Sequence, residues 1–289
     1  MEQIELQEKT KKGLEEVILL VQKQKLIYEE WGFKEVDGIA KTLINFHGKP
    51  GTGKTMSAHI IANELGRKLI NANYADLESK FVGDAPKNLV AAFDLAEKNN
   101  AILFFDEADS FLGKRITNVS QSSDQAINSL RSELLKLLEE ISIIVIFATN
   151  LLDNYDKAFH SRFLRSVMFE LPDKTQRIII IKKHIPNKLY EKGAKELSNE
   201  ELECLSELAE GFSGCEIKNS VLNSLIKAVK CDRLPVFYDF KEAFKEYKVE
   251  FEKSHKHEKR QEELSKEIKK NLETGNYNIE EKKDVNKGQ

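Results

Sequence analysis

The chain is poor in the residues that staple, anchor or strongly polarise a protein. Only three cysteines occur, Cys204, Cys215 and Cys231. They are too few and too widely spaced for a disulfide framework or a zinc site, and they point to reduced thiols in a cytosolic setting. No apolar run approaches the roughly 18 residues that cross a bilayer, and charge begins at Glu2, so neither a spanning helix nor a signal peptide is expected. The expected location is the cytoplasm. No H-E-x-x-H pattern occurs, which argues against a zinc protease. Neither sign of charge dominates: 45 Lys and Arg against 48 Asp and Glu leave a net −3, no electrostatic footprint for nucleic acid. What is present is a charge-rich soluble composition, 40% hydrophobic and 32% charged over 289 residues. That length suits one large domain or two smaller ones.

Against this background one stretch stands out, Gly48-Lys49-Pro50-Gly51-Thr52-Gly53-Lys54-Thr55. It fits the phosphate-binding pattern G-x-x-x-x-G-K-[ST] without a mismatch. Glycines let such a loop turn its backbone N–H groups inward around an anion. Lys54 is placed to reach the terminal phosphates and the Thr55 hydroxyl to ligate Mg²⁺. The flanks match: Leu43–Phe46 reads as a buried strand, and Thr55–Leu65 as a helix whose N-terminus, from Met56 onward, faces the phosphates.

Residues 1–31 are rich in Lys, Glu and Gln, with apolar residues at helical spacing, and predict one amphipathic helix packed on the main domain or on a neighbouring subunit. Trp31 and Phe33 follow at a turn as expected packing residues. Over 32–172 apolar strands alternate with helices, predicting a parallel five-stranded α/β sheet flanked by helices. Its strands are expected at Leu43–Phe46, Lys68–Asn71, Ala101–Phe105, Ile143–Phe147 and Val167–Glu170. Residues 173–250 carry helical patterns alone, a small all-α lid domain, and 251–289 a charged helix passing into a tail. No internal repeat is visible.

Two further pieces carry chemistry. Ile102-Leu103-Phe104-Phe105 ends in Asp106-Glu107, and in a parallel sheet these acids arrive at the carboxyl edge beside the phosphate loop. Asp106 is then placed to hold Mg²⁺ and Glu107 to deprotonate the attacking water. Asp109 reads either as part of the metal's surroundings or as a helix N-terminal acid. Asn150, after the strand Ile143–Phe147, reads either as a donor to the γ-phosphate or lytic water or as a helix cap.

In this order and spacing the pieces resemble the AAA+ ATPases, and within them the AAA branch whose members remodel proteins. Gly211-Phe212-Ser213-Gly214-Cys215-Glu216 is similar to that branch's glycine-serine-glycine lid motif beside the adenine, and Ser79–Asp84 to its first pore loop. Tyr28–Gly32 and Leu112–Arg115 resemble a bacterial group of single-module AAA ATPases. The resemblance implies ATP and Mg²⁺ as cofactors and a homo-oligomeric ring, usually hexameric, with Arg162 of a neighbour completing each site as an arginine finger. Ser161 stands where many relatives carry a first arginine, and Arg165 is a second candidate. Gly214 and Cys215 occupy the lid position near the nucleotide, where many AAA+ relatives, though not this branch, place a sensing arginine. Lys80, Phe81 and Val82 are implied to grip extended polypeptide, against local packing of Phe81, and a polar loop near 113–125 is a second pore-facing candidate. The expected activity is Mg²⁺-dependent ATP hydrolysis coupled to remodelling of a protein partner. A nucleic-acid-handling ATPase and a nucleotide-gated scaffold are the rival readings.

Overall fold

The computed structural model describes residues 4–38, 40–73, 77, 85–113, 122–140, 142–150 and 156–274. Five strands form one parallel sheet in the order β2-β3-β4-β1-β5. They are β1 (Thr42–Gly48), β2 (Leu69–Asn71), β3 (Ile102–Phe105), β4 (Ile144–Thr149) and β5 (Arg165–Phe169). Continuous apolar runs are what a sheet buried on both faces requires. Because successive side chains point to opposite faces, each run divides between two cores. Leu43, Leu103, Phe105, Val145 and Phe147 face one cluster with Leu89, Phe93 and Leu134. Ile44, Phe46, Ile102, Phe104, Ile146 and Phe169 face the other with Leu14, Val17, Ala58 and Ile61.

The helices covering these faces follow in chain order. They begin with α1 (Glu8–Gln22), α2 (Lys34–Asp37), α3 (Lys54–Glu64), α4 (Ala85–Lys98), α5 (Asp109–Leu112), α6 (Ser122–Glu140) and α7 (Lys157–His160). The strand bounds differ from expectation where pairing outlasts the apolar run. Pairing of His47 with Thr149 and with Met168 carries β1 and β4 beyond Phe46 and Phe147. β5 starts at Arg165 because it is an edge strand, of which only Val167 and Phe169 are buried.

The expectation of one helix over residues 1–31 is corrected. Residues 4–7 precede the helix, α1 spans Glu8–Gln22, and a π-helical turn (Leu26–Glu30) follows. Leu6 still reaches the core, from outside the helix. Gln24 binds Ala40 O at 3.2 Å and Thr42 Oγ1 at 3.3 Å, which folds the chain back onto the start of β1. Of the two places open to α1, its buried Leu14, Val17 and Val21 occupy the one on the main domain. Trp31, expected to pack, is 71% exposed.

Beyond β5 the described chain is helical: α8 (Lys174–His184), α9 (Asn187–Glu191), α10 (Asn199–Leu208), α11 (Gly214–Lys230) and α12 (Phe237–Thr274). Three of these start in reciprocal capping boxes, Asp173 with Gln176, Ser198 with Glu201 and Ser213 with Glu216. Each cap contributes about 1 kcal/mol. Ile181, Leu205, Phe212, Ile217 and Phe244 make a separate third core.

Candidate functional site

The sheet order places β3, β4 and β1 side by side, so the residues after their carboxyl ends converge although the sequence separates them widely. Gly53, with φ of 99°, turns the chain into α3 through a left-handed conformation that a side chain would resist. The next residue, Lys54, is buried, and its Nζ donates to Gly48 O at 2.7 Å, Lys49 O at 2.9 Å and Asn150 Oδ1 at 2.8 Å. Burial pushes its ammonium below the usual lysine range, while the Asp106 and Asp109 carboxylates pull it back up. Burial, then the nearby Lys54 charge, lowers His47 on β1, which favours its neutral form.

Thr55 Oγ1 donates to Asp106 Oδ2 at 2.8 Å, and Glu107 N donates to Asp106 Oδ1 at 3.0 Å. Glu107 has φ of 49°. For a residue with a Cβ that conformation costs roughly 1–2 kcal/mol, and backbone strain of this kind gathers at functional sites. Of its two readings, Asp109 satisfies the helical one in sequence, opening α5, but its carboxylate is spent on β4. It accepts from Thr149 Oγ1 and, at 3.4 Å, from Asn150 N. Thr55 and Asp106 offer two hard oxygen donors in contact, which fits Mg²⁺: that ion takes one or two protein oxygens and completes its shell with water and substrate phosphates. Among the described residues no group of three or more His, Cys, Asp or Glu is arranged as a closed metal cage.

The lid closes on this edge from the other side. Cys215 N donates to Gly51 O at 3.3 Å. A Cβ on Gly51 would stand 2.6 Å from Ser213 Oγ and 2.9 Å from Cys215 Cβ, at a φ of +73°, so only glycine lets loop and lid approach this closely. Beside the contact opens a cavity of about 430 Å³, bounded by Gly51, Met56, Gln176, His184 and Cys215, with Ile4 and Leu6 as a further wall. Its size is that of a small-ligand pocket. Sequence reasoning missed the N-terminal wall. Ile4 touches the position a Gly53 side chain would take. Glu5 pairs with Lys11 at 3.1 Å and with Lys183 of α8 at 3.4 Å. Gln7 Nε2 donates to Leu171 O at 2.9 Å. No local pattern marks these residues, because the partners that hold them on this wall, at Gly53, Leu171 and Lys183, lie far along the chain.

Other candidates stand apart from this cluster. Arg162 donates to Ala158 O and to Glu139 of α6, and Arg165 pairs with Glu16 of α1. Lys80, Phe81 and Val82 lie outside the described residues, as does 114–121 of the second candidate loop.

Comparison with known proteins places these observations. The family model described as "ATPase family associated with various cellular activities (AAA)" matches residues 44–171. The chain is 33% identical over 229 residues to a proteasome-activating nucleotidase of Saccharolobus islandicus, covering 77% of this chain and 55% of that protein. It is 31% identical over 241 residues to spastin of Drosophila willistoni, covering 78% of this chain and 29% of spastin. The chain thus spans about half the length of the first relative and less of the second. Among solved structures it resembles the FIGL-1 AAA domain in complex with ADP, with a TM-score of 0.65 at 25% identity over 82% of this chain and 80% of that one. By sequence, by strand order and by the residues gathered at the strand ends, residues 44–171 form an AAA ATPase domain.

Proposed function

We propose that this protein hydrolyses ATP in a Mg²⁺-dependent reaction and assembles into a closed ring, hexameric on the family resemblance, to remodel a protein partner. The observation that carries the reading is the convergence of Lys54, Thr55, Asp106 and Asn150 under a lid seated on Gly51. Functionally the chain divides into an N-terminal helix (1–31), an ATPase domain (32–172), a lid (173–250) and a charged tail (251–289).

The loop from Gly48 to Gly53 wraps the phosphates with backbone N–H groups, and Lys54 transfers its hydrogen bonds to the β- and γ-phosphates. Thr55 and Asp106 are the protein ligands for Mg²⁺, which when bound neutralises charge on the phosphates. Glu107 accepts a proton from the attacking water. Asn150 donates to the γ-phosphate through the amide nitrogen that Lys54 leaves free. The base occupies the cavity between Ile4, Met56, Gly214 and Cys215. Arg162 of a neighbouring copy supplies the charge this chain does not bring to its own site. Phe81, between Lys80 and Val82, grips extended polypeptide by apolar contact that is indifferent to sequence.

Glu107→Gln tests the chemistry. Binding of a fluorescent ATP analogue is retained while phosphate release falls by at least about 100-fold; turnover at the parent rate would remove Glu107 from its role. Stimulation of turnover by an unfolded model polypeptide, lost in Phe81→Ala, tests the remodelling reading.

A further inference from the structure

The last helix of the lid carries aromatic residues at Phe240, Phe244, Tyr247 and Phe251, a spacing that sets them on one face of α12. Phe240 and Phe244 are buried in the lid core, and packing accounts for them. Tyr247 and Phe251 differ, because both meet the ring of a single residue outside the helix. The Phe212 ring lies 5.3 Å from that of Tyr247, edge-on at 68°, and 4.9 Å from that of Phe251, tilted at 59°. Phe212 itself is fully buried. Aromatic pairs at such distances and angles fix a ring's orientation as well as its burial. Gly211, just before it, has φ of 85°, and the Phe251 ring comes within 3.6 Å of the place a Cβ would take. α12 therefore braces the turn that opens α11.

That turn is the part of the lid that meets the phosphate loop. Ser213 N donates to Glu216 Oε2 at 2.6 Å and Glu216 N to Ser213 Oγ at 3.4 Å, a reciprocal cap that leaves the residues after Phe212 little freedom of their own. Cys215 N then donates to Gly51 O at 3.3 Å. At that length the bond is weak, so its geometry depends on what holds the turn from behind. Neither Tyr247 nor Phe251 lines the cavity assigned above to the base, whereas Gly214 and Cys215 do. We propose that Tyr247 and Phe251 are positioning residues for nucleotide binding. They fix Phe212, and through it they set Gly214 and Cys215 against Gly51. The inference rests on the ATPase reading above and adds the residues that hold its lid in register.

The experiment uses full-length chain at one protein concentration, with steady-state ATP turnover measured for the parent, Tyr247→Ala, Tyr247→Phe, Phe251→Ala and Phe251→Tyr. In both Ala variants KM for ATP rises about tenfold while kcat stays within about twofold, since Lys54, Asp106 and Glu107 belong to the ATPase domain. Equilibrium binding of a fluorescent ADP analogue weakens by the same factor. Tyr247→Phe and Phe251→Tyr keep a ring in place and restore the parent KM. Val249→Ala, at an exposed position of α12, leaves KM unchanged. An unchanged KM in folded Ala variants makes the two rings lid core alone and overturns the proposal. So does a fall in kcat that matches the loss of folded protein while KM stays put. Should both Ala variants fail to fold, Phe251→Leu decides: it keeps the bulk without the flat ring, and KM rises about threefold or the proposal falls. A parent that turns over ATP beside unresponsive variants overturns this inference alone. A parent that binds no ATP overturns the ATPase reading with it.

Discussion

Lys54 has three acceptors in its own chain, and each belongs to a segment that the phosphates would also touch: the loop carbonyls of Gly48 and Lys49, and the Asn150 amide. The ammonium is thus oriented before any ligand arrives, which reduces the ordering cost of binding. Lys54→Ala removes that anchor and abolishes nucleotide binding, measured by isothermal titration. Gly51→Ala tests the lid contact. The new methyl collides with Ser213 and Cys215 at a backbone angle that side chains rarely adopt, so nucleotide affinity falls at least about tenfold while the melting temperature moves little. The Asp106 and Glu107 pair was legible from sequence because acids after a buried apolar run have few structural uses. Ile4 and Glu5 were not, since their neighbours at the loop and on α8 are brought to them only by folding.

At the level of elements, α1 is held to the sheet by Leu14, which is fully buried, and by Thr10 Oγ1 donating to Met168 O at 2.7 Å. Leu14→Ala lowers stability by about 3 kcal/mol, read from urea unfolding, because it leaves a cavity between helix and strand. The start of α12 is tied by Arg233, which holds both oxygens of Asp239 at 2.6 and 2.7 Å, while Val236 N donates to the same carboxylate. The Arg233 guanidinium, with help from that amide, keeps the Asp239 carboxyl below its usual range. A carboxylate depressed in the folded state stabilises above its unfolded value, and the contribution disappears as pH falls through the folded value. The urea midpoint of Asp239→Asn is therefore below the parent's at pH 7, and the gap narrows only as pH falls from about 4 through the lower folded value. Sequence periodicity marked residues 173–250 as helical, and the structure adds the capping box of Ser213 and Glu216 that starts α11. Periodicity misjudged the first thirty residues, where one apolar pattern serves an extended strap, a helix and a π-helical turn in succession.

For the whole molecule, the decisive question is whether Arg162 acts on its own chain or on a neighbour's site. Its bond to Glu139 gives it a plain structural partner. Arg162→Ala in trans loses at least about 100-fold in turnover. Mixed with Glu107→Gln, which has an intact Arg162 but a dead centre of its own, it recovers activity, because each Glu107-containing site then gains a finger. Glu139→Gln removes the partner in cis and keeps the arginine. It retains turnover if Arg162 works across the interface, and matches Arg162→Ala if the ion pair is all that matters.

The linear chain by itself determined the phosphate loop, the acids after β3 and the helical character of residues 173–250. Each is a local pattern whose chemistry depends on residues a few positions apart. Tertiary structure decided what those patterns face. It set Asn150 against Lys54, laid the lid on Gly51, brought residues 4–7 over the phosphate loop and left Trp31 in solvent. Such pairings depend on strand order and on long-range contacts, and no periodicity along the chain encodes which distant segment will close a given gap.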